Sequence, residues 1–407
     1  MRTLLATLLL AAAPTAFAQA TFIDNATVVT TDGRNTADVV VFENGRVRIG
    51  DELTAPSGAN VISGDDIWVT PGLFAPFSHV GLVDISLEGS TNDTRAGDSA
   101  NSVALRAADA FNPKANAVGN SRVEGITHLA TVPGTSGNIF SGTGAIVDTT
   151  GSFDSIVSED AFIFARLGEG GADAAGGSRA AAITQLRAAL RQADEADVIV
   201  DTSDLFLMTR EDAEQLQRAV NGEVPLVVAA NRAMDLIQLT RLKEEFENLD
   251  IIVLGAKEAW QVADRLAAVD IKVMIDPHDN LPESFESVGA RLDNALLLDA
   301  AGVDYAFTTA SADLSHNVRV LAQHAGNAVG EGLDWGKAFA AVSTTPREWF
   351  GIEDNSLVVW VGDPLEVTSQ PLAMFIDGKQ VPLTSRQIAL RDRYNPATND
   401  DRPHKYR

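Results

Sequence analysis

VPLVVAANRAMDLIQLTRLKEEFENLDIIVLGA, residues 224–256, is the stretch whose reading decides the fold. A short, almost unbroken apolar run opens it (VPLVVAA) and another closes it (IIVLGA). Between them Leu239, Leu242 and Phe246 recur on one face at helical spacing. A strand that is apolar at every position must be covered on both faces. A helix joining two such strands supplies that cover and leaves the strands parallel. The stretch therefore reads as a β–α–β unit.

The same pattern extends in both directions. IWVTPGLF, ITHLATV, AFIFARL and the weaker DVIVD precede the unit, and IKVMID and VDYAFTTA follow it, which makes eight candidate strands. Ile183, Leu186 and Leu190 share one helical face between them, as do Phe285, Val288, Leu292 and Leu296. Thr209 with Asp212 has the spacing of a helix N-terminal cap. Strands alternating with helices place the chain in the α/β class and predict a TIM-type (β/α)8 barrel over residues 67–353. A doubly wound open sheet is the structural alternative.

Outside that region the period changes to two. FIDNATVVTTDG and ADVVVFENGRVRIG carry the turn dipeptides Asp32-Gly33 and Asn44-Gly45, and SLVVWVGDPL and AMFIDGKQVPL carry Asp377-Gly378. Residues 19–66 and 354–384 together predict a small composite β-sandwich domain built from both ends of the chain. Residues 385–407 read as a short helix followed by a polar tail.

Residues 1–18 have the form of a secretory signal peptide. Arg2 precedes the apolar run from Leu4 to Ala13, and the small-x-small triplet Ala16-Phe17-Ala18 gives the cleavage site. The expected location is the periplasm. No later run approaches the ~18 apolar residues of a membrane span. The 407 residues include no cysteine, and 31 basic residues stand against 56 acidic ones, a net charge of -25. Such a field disfavours nucleic acids and anionic membranes as partners.

In a barrel of this kind chemistry sits where the strands end and the following loops converge. That rule selects Phe77 and His79 after the first strand and the loop PGTSGNIFSGTG after the second. It also selects Asn231, Gly255, Asp276 with His278, and Ala310, Asp313 and His316. Asp276 and His278 are the strongest acid/base candidates, since a carboxylate can fix an imidazole tautomer and raise its basicity. The turn-rich DPHDN segment is equally suited to capping the next helix. His79, His278, His316 and Asp313 could form a weak metal set, and the Gly/Ser loop could cradle an anion or serve as a plain connection. His128, inside ITHLATV, reads as a core residue or as a ligand. Glu244-Glu245 reads as a solvated pair. With no cysteine and no G-x-S-x-G, no nucleophile signature is present.

V-x-P-G-L at residues 69–73, G-I-T at 125–127, ANRAMD, VVWVGDPLEVTS and FIDGK together resemble the amidohydrolase superfamily. Within it the chain is similar to exported imidazolonepropionase-like amidohydrolases. The resemblance implies hydrolysis of a C–N bond, in a cyclic amide or small peptide, by water activated on one or two divalent metals such as Zn²⁺. Its ligands are a His-x-His after the first strand, a lysine or glutamate on the fourth, a histidine on each of the fifth and sixth, and an aspartate on the eighth. Carried over, the first histidine falls on Phe77 and the second on His79. The fifth-strand ligand falls on Ala229 or Asn231, the sixth on Gly255 and the eighth on Ala310, while Asp201 is a poor substitute on the fourth. One ligand in five does not hold a divalent ion usefully, so no metal cofactor is expected and His79 stands as a lone remnant. Two functional expectations follow. The chain is a C–N hydrolase, or it is a non-catalytic relative that binds a small molecule or pairs with itself or with an intact amidohydrolase paralogue.

Overall fold

The computed structural model describes residues 20–31, 33–195, 208–310 and 313–395. The expected signal peptide, Asp32, the DVIVD run with Asp201, and the polar end of the tail lie outside them. The described chain forms two eight-stranded sheets with helices packed around one of them.

The first sheet joins Ala20–Thr30, Gly33–Phe42, Val47–Gly50, Asn60–Ile62 and Ile67–Pro71 to Leu357–Val361, Gln370–Ile376 and Lys379–Val381. Ile67–Pro71 is where the two ends of the chain meet. It pairs in parallel with Thr27 and Val28 and antiparallel with the whole of Leu357–Val361. The period-two pattern divides the faces as expected. Val39, Val41, Val69, Val359 and Phe375 form one cluster, while Trp68, Val358, Trp360, Met374 and Ile376 join the large core shared with the rest of the molecule. The expected sandwich is thus a single sheet, because the strands from both ends pair edge to edge rather than stacking as two layers.

The second sheet contains, in chain order, β1 (Leu73–Ser78), β2 (Ile126–Thr131), β3 (Phe140–Asp148), β4 (Ile156–Arg166), β5 (Leu226–Ala230), β6 (Ile251–Gly255), β7 (Lys272–Ile275) and β8 (Tyr305–Phe307). Each pairs with the next, so the sheet curls into a nearly closed, barrel-like wall. The seam between β8 and β1 is bridged by backbone. Phe307 N–H donates to the Ala341 carbonyl (2.9 Å) and Phe74 N–H to the Val342 carbonyl (2.8 Å).

Three sequence expectations are corrected here. The run IWVTPGLF divides after Pro71, its first half joining the first sheet and its second half becoming β1. The Gly/Ser-rich segment after β2 enters a strand at Phe140, and β3 runs antiparallel to both neighbours, so the sheet is not all-parallel. Its glycines serve packing rather than flexibility: a Cβ on Gly144 would lie 2.2 Å from the Phe162 ring. β4 also pairs directly with β5, Ile163 opposite Leu226, with no strand between them.

The helical face expected to bury Phe285 and Val288 is not buried. These side chains are 91% and 66% exposed, and a regular helix begins only at Asn294. The segment instead turns Glu286 inward, where it accepts from Glu169 N–H (2.8 Å) and from Asn231 Nδ2 (3.1 Å), and this rotates its neighbours outward. Helix Arg179–Asp194 does bury Leu186 and Leu190, and Thr209 caps helix Arg210–Val220 by accepting from Asp212 N–H (3.2 Å). Glu245 is not merely solvated: it accepts from Arg187 and Arg191, both at 2.9 Å through Nε.

Candidate functional site

The inside of the curled sheet is apolar. Phe74, Phe77, Phe162, Phe164, Val227, Ile252, Leu254, Met274 and Ala306 form one buried cluster, closed below by Trp349. Side chains on alternate positions of each strand supply it, as the strand period requires. At the C-terminal ends of the strands the sequence candidates separate into three groups.

The first group lies between the ends of β1 and β8. Phe77 is buried, with its ring edge-on to Phe164 at 4.8 Å and 5.9 Å from the His79 imidazole. His79 Nδ1 lies 2.7 Å from the Val132 carbonyl. A carbonyl only accepts, so the neutral ring carries its proton on Nδ1 and presents a lone pair at Nε2. Burial pushes the His79 pKa down, opposed by the Val132 bond and the Asp313 charge, which favours that neutral form. The loops after β1 and β8 are tied together by His79 N–H to the Leu314 carbonyl (2.9 Å) and by Ser86 Oγ against His316 Nε2 (2.9 Å). Asp313 is exposed and caps Ser315 N–H (2.7 Å), and Ala310 is exposed.

The second group lies at β5 and β6. Asn231 donates through Nδ2 to Glu286, while its buried Oδ1 has no hydrogen-bond partner among the described residues. That oxygen stands where a side chain on Gly255 would begin, 2.3 Å from an ideal Cβ. With φ at +95°, Gly255 has a backbone conformation that L side chains rarely adopt. The two candidates therefore account for each other, since the missing side chain of one makes room for the amide of the other.

The third group corrects the Asp276–His278 pairing. Asp276 is buried and accepts from the backbone N–H of His278 (3.0 Å), but the imidazole it meets is His324, with Nδ1 at 2.8 Å. The His278 ring is exposed and faces Asn327 Nδ2 at 3.2 Å instead. A residue two positions after an aspartate offers that carboxylate its own N–H in a turn, which directs its side chain elsewhere. His324 was missed by sequence reasoning, although the signal was there. Leu321, His324, Ala325 and Ala328 make one buried helical face, with a histidine inside it.

His128 lies at the other end of the wall, near the start of β2. It points inward, stacked on Phe74 at 6.3 Å, with Nδ1 3.6 Å from Asp354 Oδ2. Arg347 Nε donates to the same Asp354 oxygen (2.7 Å), and its other nitrogens reach Thr127 Oγ1 and the Gly72 carbonyl, both at 2.8 Å. Burial pushes the His128 pKa down to about 4, against the attraction of Asp354. His128 is thus a core residue in a network that fastens the base of the wall.

Among the described residues no three His, Asp or Glu side chains converge so as to hold a metal ion. Nor is any described helix long and apolar enough to cross a membrane.

No family model and no curated protein matches the sequence. Solved structures do match. An amidohydrolase from Thermotoga maritima MSB8 is 23% identical, with a TM-score of 0.77 over 90% of this chain and 100% of that one. A triazine hydrolase variant is 13% identical, with a TM-score of 0.53 over 92% and 98% of the two chains. A prolidase complexed with N-methylphosphonate-L-proline is also 13% identical, with a TM-score of 0.52 over 89% and 99%. The arrangement of curled sheet and terminal sheet in this chain is therefore the fold of solved amidohydrolases.

Proposed function

We propose that the chain is an exported, barrel-type member of the amidohydrolase superfamily that has lost the metal-dependent C–N hydrolysis of that family and acts as a non-catalytic binding or pairing subunit. The observation that carries this reading is Phe77. An apolar ring packed on Phe164 fills the place that the resemblance assigns to the first metal-binding imidazole. Phenyl and glycyl side chains offer no donor, and Asn231 Oδ1 occupies the space that a ligand on Gly255 would need. The residues present do not fit a divalent ion.

One specific observation favours a second reading, residual metal-free acid/base chemistry. The His79 Nε2 lone pair is held by the Val132 bond in a tautomer suited to accepting a proton.

The test is elemental analysis of purified protein after incubation with Zn²⁺, Mn²⁺ and Fe²⁺, combined with assay on cyclic amides and dipeptides. Protein without stoichiometric metal or turnover fits the proposal. Bound metal near one equivalent that disappears in His79→Ala would overturn it. Metal-independent turnover abolished by His79→Ala would establish the second reading.

A further inference from the structure

A cavity of about 550 Å³ lies where the terminal sheet meets the helix Trp335–Ala340, remote from the strand ends that carry the candidates above. Its walls include Val29, Thr31 and Arg34 from the sheet and its turn, and Asp334, Trp335, Phe339 and Ala340 at and along the helix. The volume is that of a small-molecule site, and junctions between structural units are common places for one.

Its chemistry is specific. The Arg34 guanidinium lies over the Trp335 ring, 4.7 Å from its centroid, and 6.0 Å from that of Trp68. Trp335 in turn stacks on Phe339, at 5.2 Å and 1° between planes, and its Nε1 is fixed to Asp363 at 2.9 Å. The platform that holds Arg34 is therefore itself held. A guanidinium stacked by its face keeps its N–H edge free, and that edge is the part that matches a carboxylate with two parallel hydrogen bonds. Arg34 has no carboxylate partner among the described residues, although the chain carries 56 acidic residues to 31 basic ones. Asp334 also lines the cavity, but its Oδ1 accepts from Lys337 N–H (3.1 Å) at the start of the helix, which leaves Arg34 as the cation on its aromatic platform; that combination suits a monoanion with a flat apolar body. A phosphate dianion would want more donors than this cavity offers.

We infer that this junction cavity is a binding site for small aryl or alkyl carboxylates, with Arg34 clamping the carboxylate and Trp335 and Phe339 lining the apolar part. The site is independent of the candidate residues at the strand ends, so it stands whether or not the proposed function does.

The experiment is calorimetric titration of the full chain with phenylacetate, its uncharged isostere phenylacetamide, and inorganic phosphate, with tryptophan fluorescence as a second readout. The expected result is one phenylacetate per chain, at least tenfold weaker binding of phenylacetamide, and no saturable binding of phosphate. Arg34→Gln should weaken phenylacetate at least tenfold with an unchanged melting temperature, because Arg34 is exposed and its removal leaves no buried group unpaired. Ala340→Phe, which fills the cavity and leaves Arg34 in place, should abolish binding. The inference is overturned if phenylacetate fails to bind at about 10 mM, a weak affinity on any scale. It is equally overturned if acid and amide bind alike, if phosphate binds better than phenylacetate, or if Arg34→Gln binds as the unaltered chain does.

Discussion

Acidification should loosen the base of the curled sheet through His128, and the size of the effect follows from its surroundings. The imidazole is almost wholly buried between Phe74 and the Arg347–Asp354 pair, and its pKa falls from 6.5 to about 4. The unfolded chain therefore binds this proton before the folded one does. The stability that His128 contributes by being neutral is complete above the unfolded value and is lost as pH falls through the interval towards the folded one. Between about pH 7 and about pH 4.5, linkage over that shift amounts to ~2 kcal/mol, a sizeable part of a typical domain's stability. Other groups titrate in the same range. Burial raises Asp148 and Asp235, whose contributions grow as pH falls, and lowers His79, which works in the same direction as His128. The informative quantity is therefore a difference between two proteins. Urea unfolding, followed by tryptophan fluorescence at both pH values, is compared for the unaltered chain and for His128→Asn. The variant loses packing on Phe74 at either pH, an offset that cancels. Its stability should fall by ~2 kcal/mol less on acidification. Equal falls in the two proteins would refute the assignment of the proton uptake to His128.

Three further perturbations test the strand-end groups. Gly255→Ala places a Cβ on Asn231 Oδ1 at a positive φ and should cost about 2 kcal/mol or more, read as a lowered urea midpoint. Asp276→Ala and His324→Ala should each destabilise, and the double variant should cost about 1 kcal/mol less than their sum, because each single change strands the other's buried polar group. Phe77→His alone should bind no stoichiometric Zn²⁺ by elemental analysis and should lose about 2 kcal/mol of stability, since it places an imidazole among Phe162, Phe164 and Val132 without a second ligand.

The β–α–β reading of residues 224–256 survives intact as β5, a helix and β6, because a short parallel unit is specified by its own apolar pattern. β3 was not legible by the same means. Its glycines match a loop by composition, and only the Phe162 ring, reached through a partner strand, shows why a side chain is excluded at Gly144. Helical spacing misled at Phe285 and Val288 for the opposite reason. The pattern is correct for an amphipathic helix, but Glu286 makes three contacts across the loop ends, with Glu169, Asn231 and Arg179, and these decide which way the segment faces. Tertiary hydrogen bonds to a half-buried carboxylate outweigh a local preference of a few tenths of a kcal/mol per residue.

The site divides along the same line. What a position lacks can be read from the sequence, since phenylalanine at 77 and glycine at 255 offer no donor in any fold. What a position touches cannot. Asp276 and His278 are neighbours in the chain, and that proximity is the reason they do not pair through their side chains: the carboxylate takes the nearer backbone N–H, and the imidazole it meets comes from a helix 48 residues on. Asn231 shows the consequence for any attempt to build a metal site at these strand ends. Its amide occupies the space that a side chain at Gly255 would need and is held there by Glu286, which Arg179 and the Glu169 backbone hold in turn. Single substitutions would therefore add donor atoms without making space for them, and the cost of displacing Asn231 would be borne through that whole chain of contacts.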